Sequence, residues 1–290
     1  MRRCVASVLS LDFEKSIIIS DNVSTDGTQD FCLELCREYT FVAYYRNDKN
    51  LGSVDNFISA SEKVSTDYMV ILADDDYLIP ELYNDFYNEI KGKNCFIFAA
   101  KSLRFGVNNS TGASLPSRAH DTRFYNSTDS TNFILKDLLF WSSCVFRTST
   151  FKSAVEDLNL KCKNSLYREA IDVGILYYLS NKHGFYYVEK PVTVFWNHLS
   201  QSSKPLSDIQ FKLLYISRIY AFNLLNSEEV RCVKNIYTLS IFCKAKILGL
   251  KSSKRYFQKN LDLLSMPLKY TIKYLLVLFL NPYLLKKIFK

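Results

Sequence analysis

Four short apolar runs, Ser16–Ser20, Phe41–Tyr45, Tyr68–Ala73 and Cys95–Ala100, recur near the start of the chain, each separated from the next by a helix-patterned stretch. This rhythm constrains the fold more than any other feature. Runs so short and so rich in Ile, Val, Tyr and Phe read as strands. The stretches between them carry apolar residues at helical spacing: Phe31, Cys32, Leu35, Cys36 and Tyr39 in one, Val54, Phe57 and Ile58 in the next. Thr28 and Ser53 are the expected N-caps of these helices. Pro80 opens a further helix that runs to Lys91, with Gly92 just past its end. Strands alternating with helices at this pace predict an α/β fold with a largely parallel sheet. Ligands then gather at the carboxyl ends of the strands.

Two of those ends carry acids. The first run closes in Asp21-Asn22 and the third in Asp74-Asp75-Asp76. Clustered carboxylates repel and raise one another's pKa. A hard divalent cation such as Mg²⁺ or Mn²⁺, bridging to substrate phosphates, relieves that cost. A solvated acidic turn is the plainer reading of the triplet alone. The matching position of Asp21 favours a site.

Later segments are less regular. Residues 102–131 are rich in Ser, Thr and Asn and read as loops or an insertion. A helix is expected over Phe133–Phe140, then a strand over Trp141–Phe146 followed by Arg147. A helix over Leu166–Asn181 carries Arg168, Glu169 and Asp172. Strands over Phe185–Val188 and Val192–Trp196 lead into Asn197-His198, and the pattern beyond Pro205 is helical. Two regions are therefore expected, 1–204 and a helical, basic 205–290.

Composition removes several classes. With 20 Tyr and 21 Phe against 8 Gly and 6 Pro, the 290-residue chain is neither fibrous nor disordered. Its eight cysteines form no CxxC pair and there are three histidines, so no zinc site is expected and reduced thiols in a cytoplasmic protein are. Cys32 and Cys36 lie one helical turn apart and should share a core face. No GxGxxG follows the first strand, which disfavours a dinucleotide-binding domain. The apolar stretch behind Arg2-Arg3 stops before Asp12 and Glu14, so it reads as the tail of a helix rather than a leader.

The charge is lopsided. Residues 241–290 hold eleven Lys and Arg against one acid, Asp262, a segment charge of +10 within a whole-chain +8, so residues 1–240 sum to −2. Within that tail, Tyr274–Leu280 is strongly apolar, is interrupted by Asn281-Pro282 and is flanked by Lys269, Lys273, Lys286 and Lys287. Extended to Leu285 it is far shorter than the roughly 20 residues a bilayer requires. Basic flanks around such a helix suit the inner, anionic face of a membrane, or else a helix packed on the core with solvated lysines. Without a reader motif, and with an acidic body, the chain has no nucleic-acid partner.

One resemblance gathers these features. The block Ile17-Ile18-Ile19-Ser20-Asp21-Asn22-Val23-Ser24-Thr25-Asp26-Gly27-Thr28 is followed by Tyr45-Arg46-Asn47-Asp48-Lys49-Asn50-Leu51-Gly52, Asn56-Phe57 and Leu72-Ala73-Asp74-Asp75-Asp76. In order and spacing these resemble the family 2 inverting glycosyltransferases of GT-A fold over roughly residues 4–100, more loosely over 141–203, and scarcely beyond. The resemblance implies a nucleotide-sugar donor and Mg²⁺ or Mn²⁺. Asp21 would then meet the base, Asn50 and Gly52 would shape the nucleotide-side loop, and Asp74 would meet the ribose, with Asp75 between. Asp76 would ligate the metal, with His198 near the metal or diphosphate. Asp172, or alternatively Glu169, would be the general base, and Arg147 would meet the diphosphate or an anionic acceptor unless it makes a surface salt bridge.

By the same resemblance the acceptor would be a lipid-linked saccharide at the cytoplasmic membrane, in assembly of O-antigen, capsule or another surface polysaccharide. Members of the family begin with a strand and a Tyr-Asn-type turn that this sequence lacks, since Arg2–Leu11 matches the helix that follows them. Either the coding region starts further upstream, or the chain is a truncated, catalytically inactive relative acting as a membrane-peripheral binding partner.

Overall fold

The computed structural model describes residues 1–106, 109–115, 119–136, 139–158 and 171–197, together with 238, 242, 245, 246 and 250–259. Two compact units divide the chain. One comprises Met1–Ser165 with Ile175–Leu199, the other Leu166–Gly174 with Ser200–Lys290.

The first unit opens with helix α1 (Arg2–Leu9), strand β1 (Ile17–Asp21), α2 (Thr28–Glu38), β2 (Val42–Arg46) and α3 (Ser53–Glu62). β1 and β2 form a parallel pair in register from Ile17 opposite Val42 to Asp21 opposite Arg46. Alternation sends Ile19 and Val42 to one face, where they meet Val5 of α1 and Cys32 and Leu35 of α2. Cys36 packs against the same cluster, as the one-turn spacing from Cys32 requires. The helix starts differ from expectation. Gly27 (φ 80°) and Gly52 (φ 81°) occupy the cap positions, and both adopt the positive φ that glycine tolerates best. Asp26 caps α2 from outside by accepting bonds from the Thr28 backbone N–H (3.3 Å) and hydroxyl (2.6 Å). Thr28 and Ser53 are the first residues inside their helices.

A seven-stranded sheet follows, built from β3 (Tyr68–Met69), β4 (Tyr77–Leu78), β5 (Ile97–Gly106), β6 (Asn109–Leu115), β7 (Arg123–Tyr125), β8 (Cys144–Arg147) and β9 (Phe185–Asn197). Its main path runs β3-β8-β5-β9-β4, with β6 paired to β5 and β7 to β9. The two most extended ladders in the unit, β1–β2 and β5–β9, are parallel. The shorter flanking pairings are antiparallel. Helix α4 (Pro80–Ile90) covers one face, where Tyr83, Phe86 and Ile90 join Phe98, Ala100, Val145, Val188 and Val192. On the same grounds of alternation, Phe146 belongs to the other face, against Trp141 and Phe151 of α6 (Thr148–Asp157). A third aromatic group joins Tyr125, Phe133, Phe185 and Tyr187, around the end of β7 and helix α5 (Ser127–Lys136).

Several sequence expectations are corrected. The ladder of the third strand ends at Met69; Val70 is exposed and Ile71–Ala73 are half-buried rather than strand core. Apolar composition alone does not supply a hydrogen-bonded neighbour. Residues 102–106 extend β5 and residues 109–115 form β6, where loops or an insertion were expected. Trp141–Ser143 make a 3₁₀ turn ahead of β8. Residues 185–197 form one continuous strand, because irregularities in the β5–β9 register absorb Pro191 without breaking the pairing. Helix α7 (Ile171–His183) precedes it, and α8 (Lys251–Lys259) lies in the second unit. Glu169, His198 and the apolar tail 274–285 fall outside the described residues.

Candidate active site

The acidic triplet occupies a tight turn between β3 and β4, closed by an Asp76 N–H to Ala73 carbonyl bond of 3.1 Å. Burial is graded along it: Asp74 is exposed, Asp75 half-buried and Asp76 only 5 % exposed. β4 and β9 pair antiparallel, with Tyr77 opposite Val194. That register carries the end of β9 over the turn, and the Trp196 backbone N–H donates to Asp76 Oδ1 at 3.1 Å. Burial pushes the Asp76 carboxyl up to about 7, the neighbouring Asp75 and Asp74 charges add to the rise, and the Trp196 N–H and Ser142 hydroxyl oppose it. Ser142 is itself buried, and its hydroxyl lacks a well-formed hydrogen bond.

Helix α1 closes one side of this turn. The Met1 ammonium donates to the Asp74 carbonyl at 2.5 Å, and Ser7 Oγ accepts the Leu78 N–H at 3.0 Å. Burial, with the three aspartates nearby, pushes the Cys4 thiol up to about 12, so this cysteine is an inert packing residue here.

Asp21 belongs to a second acidic centre at the end of β1. Parallel register sets it opposite Arg46 and on the face of Tyr44. Its carboxylate accepts the Ser24 N–H (2.8 Å), the Tyr44 hydroxyl (2.6 Å) and the Arg46 guanidinium (2.5 Å). Burial alone would raise its pKa, but these donors and the Arg46 charge together hold it below the usual carboxylate value. Asn22, Asn47, Asn50 and Asn56 knit the adjoining loop. Asn22 donates to Asn50 (2.8 Å), Asn47 donates to Asn56 (2.9 Å), and Asn56 reaches the Ser20 carbonyl (3.1 Å). Val23 takes φ 68°, an uncommon conformation for a β-branched residue that this network holds in place. Beside it an open cleft of ≈ 420 Å³ is lined by Arg46, Asn47, Asp48, Lys49 and Leu51.

Arg147 lies at the other end of the third strand. β8 runs antiparallel to β3, so Arg147 pairs with Tyr68 at the start of that strand, away from the acidic turn at its end. It donates to the Tyr68 hydroxyl at 2.9 Å and to Asn94, and its guanidinium lies over Phe96. Asp172 lies half-buried in the first turn of α7 and falls in the second unit. Among the described residues no cluster of three or more His, Cys, Asp and Glu side chains converges as a metal site. Sequence reasoning missed the roles of Tyr44, Ser142 and Trp196, because their contacts arise from cross-strand register rather than local spacing.

An α/β unit with acids at the carboxyl ends of its strands is the architecture of the GT-A glycosyltransferases. The chain belongs to glycosyl transferase family 2, whose family model matches residues 1–153. A curated relative, abequosyltransferase RfbV of Salmonella typhimurium, is 41 % identical over 70 residues, which are 24 % of this chain and 20 % of that protein. The match thus spans about a fifth of the relative's length. Among solved structures, S. aureus TarS 1-349 in complex with UDP-GlcNAc aligns with a TM-score of 0.55 at 15 % identity, covering 84 % of this chain and 68 % of that one. GalNAc-T7 with UDP, GalNAc and Mn²⁺ aligns with a TM-score of 0.53 at 11 % identity, covering 88 % and 51 %.

Proposed function

We propose that this chain transfers a sugar, with inversion, from a nucleoside-diphosphate donor to a hydroxyl of a saccharide acceptor. One observation carries the reading: a buried carboxyl, Asp76, set at a strand-end turn with two further aspartates. In this reading the ribose of the donor lies at Asp74, with Asp75 between it and the metal-holding Asp76, and its base lies toward Asp21 and the Asn50 loop. Asp21 itself serves chiefly to hold Arg46 and Tyr44 in place. Asp172, or Glu169, deprotonates the acceptor hydroxyl.

The residues also fit a divalent cation. Mg²⁺ and Mn²⁺ need only one or two protein carboxylates when substrate phosphates complete the shell. Asp76 would hold the ion, with the Ser142 hydroxyl beside it and His198 as a further candidate. Such an ion neutralises charge on a departing nucleoside diphosphate. Similarity to an abequosyltransferase supports a sugar as the transferred group, and the basic tail supports an acceptor met at the inner, anionic face of a membrane, as a lipid-linked saccharide would be. Among the described residues no helix is long and apolar enough to cross a membrane.

The test is thermal stabilisation by UDP, GDP or dTDP with Mn²⁺. The wild-type chain should gain stability with one of them, by the mass-action increment that binding to the native state confers. Asp76→Asn should lose that increment while its metal-free form becomes more stable by about 2 kcal/mol, because a costly buried charge is gone. A wild-type chain indifferent to all three nucleotides would overturn the reading. A second reading is a catalytically silent, membrane-peripheral binding partner, a role the basic tail would serve as well. Nucleotide binding without turnover would favour it.

A further inference from the structure

The cleft at the end of β2 presents few polar groups that its own loop has not already engaged. Both carboxylate oxygens of Asp21 accept bonds, from Ser24, Tyr44 and Arg46. Arg46 commits one terminal nitrogen to Asp21 and the other to the Ser24 carbonyl at 2.9 Å. The Asn47 amide nitrogen donates to Asn22 (3.2 Å) and Asn56 (2.9 Å), and Asn22 Oδ1 also accepts the Leu51 backbone N–H at 2.8 Å. The Gly52 N–H is tied in turn to Asn50 Oδ1 at 2.9 Å. Asp48 and Lys49 line the same cleft, stand exposed and enter none of these bonds. The braced loop thus offers an incoming ligand one carboxylate and one ammonium on a backbone already held in place. At ≈ 420 Å³ the cleft lies within the usual range of ligand sites, and Leu51 adds an apolar contact for a flat ring.

We infer that this cleft reads guanine, with Asp48 and Lys49 selecting a guanosine-diphosphate donor over those built on other bases. This rests on the reading of the chain as a transferase whose donor base lies toward Asp21 and the Asn50 loop. The pattern of donors and acceptors decides the base. Guanine alone among the common bases sets two donors side by side, N1–H and N2–H, with the O6 acceptor next to them. A carboxylate accepts two such parallel N–H bonds at once. The Lys49 ammonium supplies the donor that O6 needs. Uracil and thymine offer a single N–H between two carbonyl oxygens, both of which a carboxylate repels. Cytosine and adenine set their amino group beside a bare ring nitrogen, so an acceptor would face an acceptor. Asp48 is the one carboxylate among the described residues that line the cleft, and Asp21 beside it is already filled.

Calorimetric titration of the full chain with GDP, inosine diphosphate, UDP, dTDP, CDP and ADP, each with Mn²⁺, tests the assignment. GDP should bind most tightly. Inosine diphosphate lacks only the N2 amino group, so it isolates the second bond to Asp48 and should bind about tenfold more weakly than GDP. Asp48→Asn keeps one acceptor and loses the other, so GDP should fall to the level of inosine diphosphate and the ratio between them approach one. Lys49→Met should weaken both alike, by a few-fold, since both carry O6. The two side chains are exposed, so neither variant endangers folding. Tighter binding of UDP, dTDP, CDP or ADP than of GDP overturns the inference and leaves the transferase reading standing. A wild-type chain indifferent to the N2 amino group overturns it as well, and so does a preference for that group that survives in Asp48→Asn. If no nucleotide binds, the donor reading itself falls and takes the inference with it.

Discussion

At the residue scale, two aspartates at strand ends have been given opposite tasks by their surroundings. Asp21 is surrounded by donors and held ionised, whereas Asp76 is pushed toward neutrality by burial and by its neighbours Asp75 and Asp74, against the Trp196 N–H it accepts. The depressed pKa of Asp21 has a sign. The folded state binds this proton less tightly than the unfolded chain does, so the stabilisation is present above the unfolded value of 3.8 and fades as pH falls through the lower folded value. Asp21→Asn should therefore cost about 2 kcal/mol at pH 7, and the difference from wild type should shrink below about pH 4. Urea unfolding at several pH values measures it. The sequence showed that both aspartates stand at strand ends, but not which would be satisfied. That depends on Tyr44 and Arg46, two and four residues into a different strand, and on Trp196 far along the chain.

β1, α2, β2, α3 and α4 were legible because each is specified locally, by an apolar run, a helical stripe or a proline. β3 was over-read, since a strand needs a partner as well as a composition. β5–β6 was under-read, because Ser and Thr serve as well as Val where a ladder supplies the hydrogen bonds; Ser102 and Thr193, both buried, bond each other at 2.7 Å. The junction of α7 and β9 shows how tightly elements can meet. Gly184 has φ 71°, and a Cβ there would stand 2.3 Å from the Tyr125 carbonyl oxygen and 3.0 Å from the Phe124 ring. Both backbone conformation and space exclude a side chain. Gly184→Ala should destabilise the chain by roughly 2 kcal/mol or more, read as a fall in melting temperature of several degrees.

For the whole molecule, the lopsided charge carries its own expectation. A tail of +10 on a chain of +8 should bind vesicles containing anionic lipid, and each basic residue near the surface contributes about 1 kcal/mol. Deleting residues 264–290 should reduce cosedimentation with phosphatidylserine vesicles, and salt should weaken the binding of the intact chain. Unchanged partitioning would show the tail packed on the protein instead. The other whole-molecule feature is the division of the sheet. Among the described residues β1 and β2 pair with each other and not with the larger sheet, their core of Ile19, Cys32, Leu35 and Val42 is compact, and the strands are close in sequence. Such a segment can open and reclose without the rest unfolding. Amide hydrogens of Ile18–Asp21 and Ala43–Arg46 should therefore exchange faster than those of β5 and β9, and at a rate less sensitive to denaturant. The proposed nucleotide loop sits on this softer part, so a bound donor should register first as slowed exchange there. The molecule would then clamp its substrate by stiffening a segment that, alone, breathes.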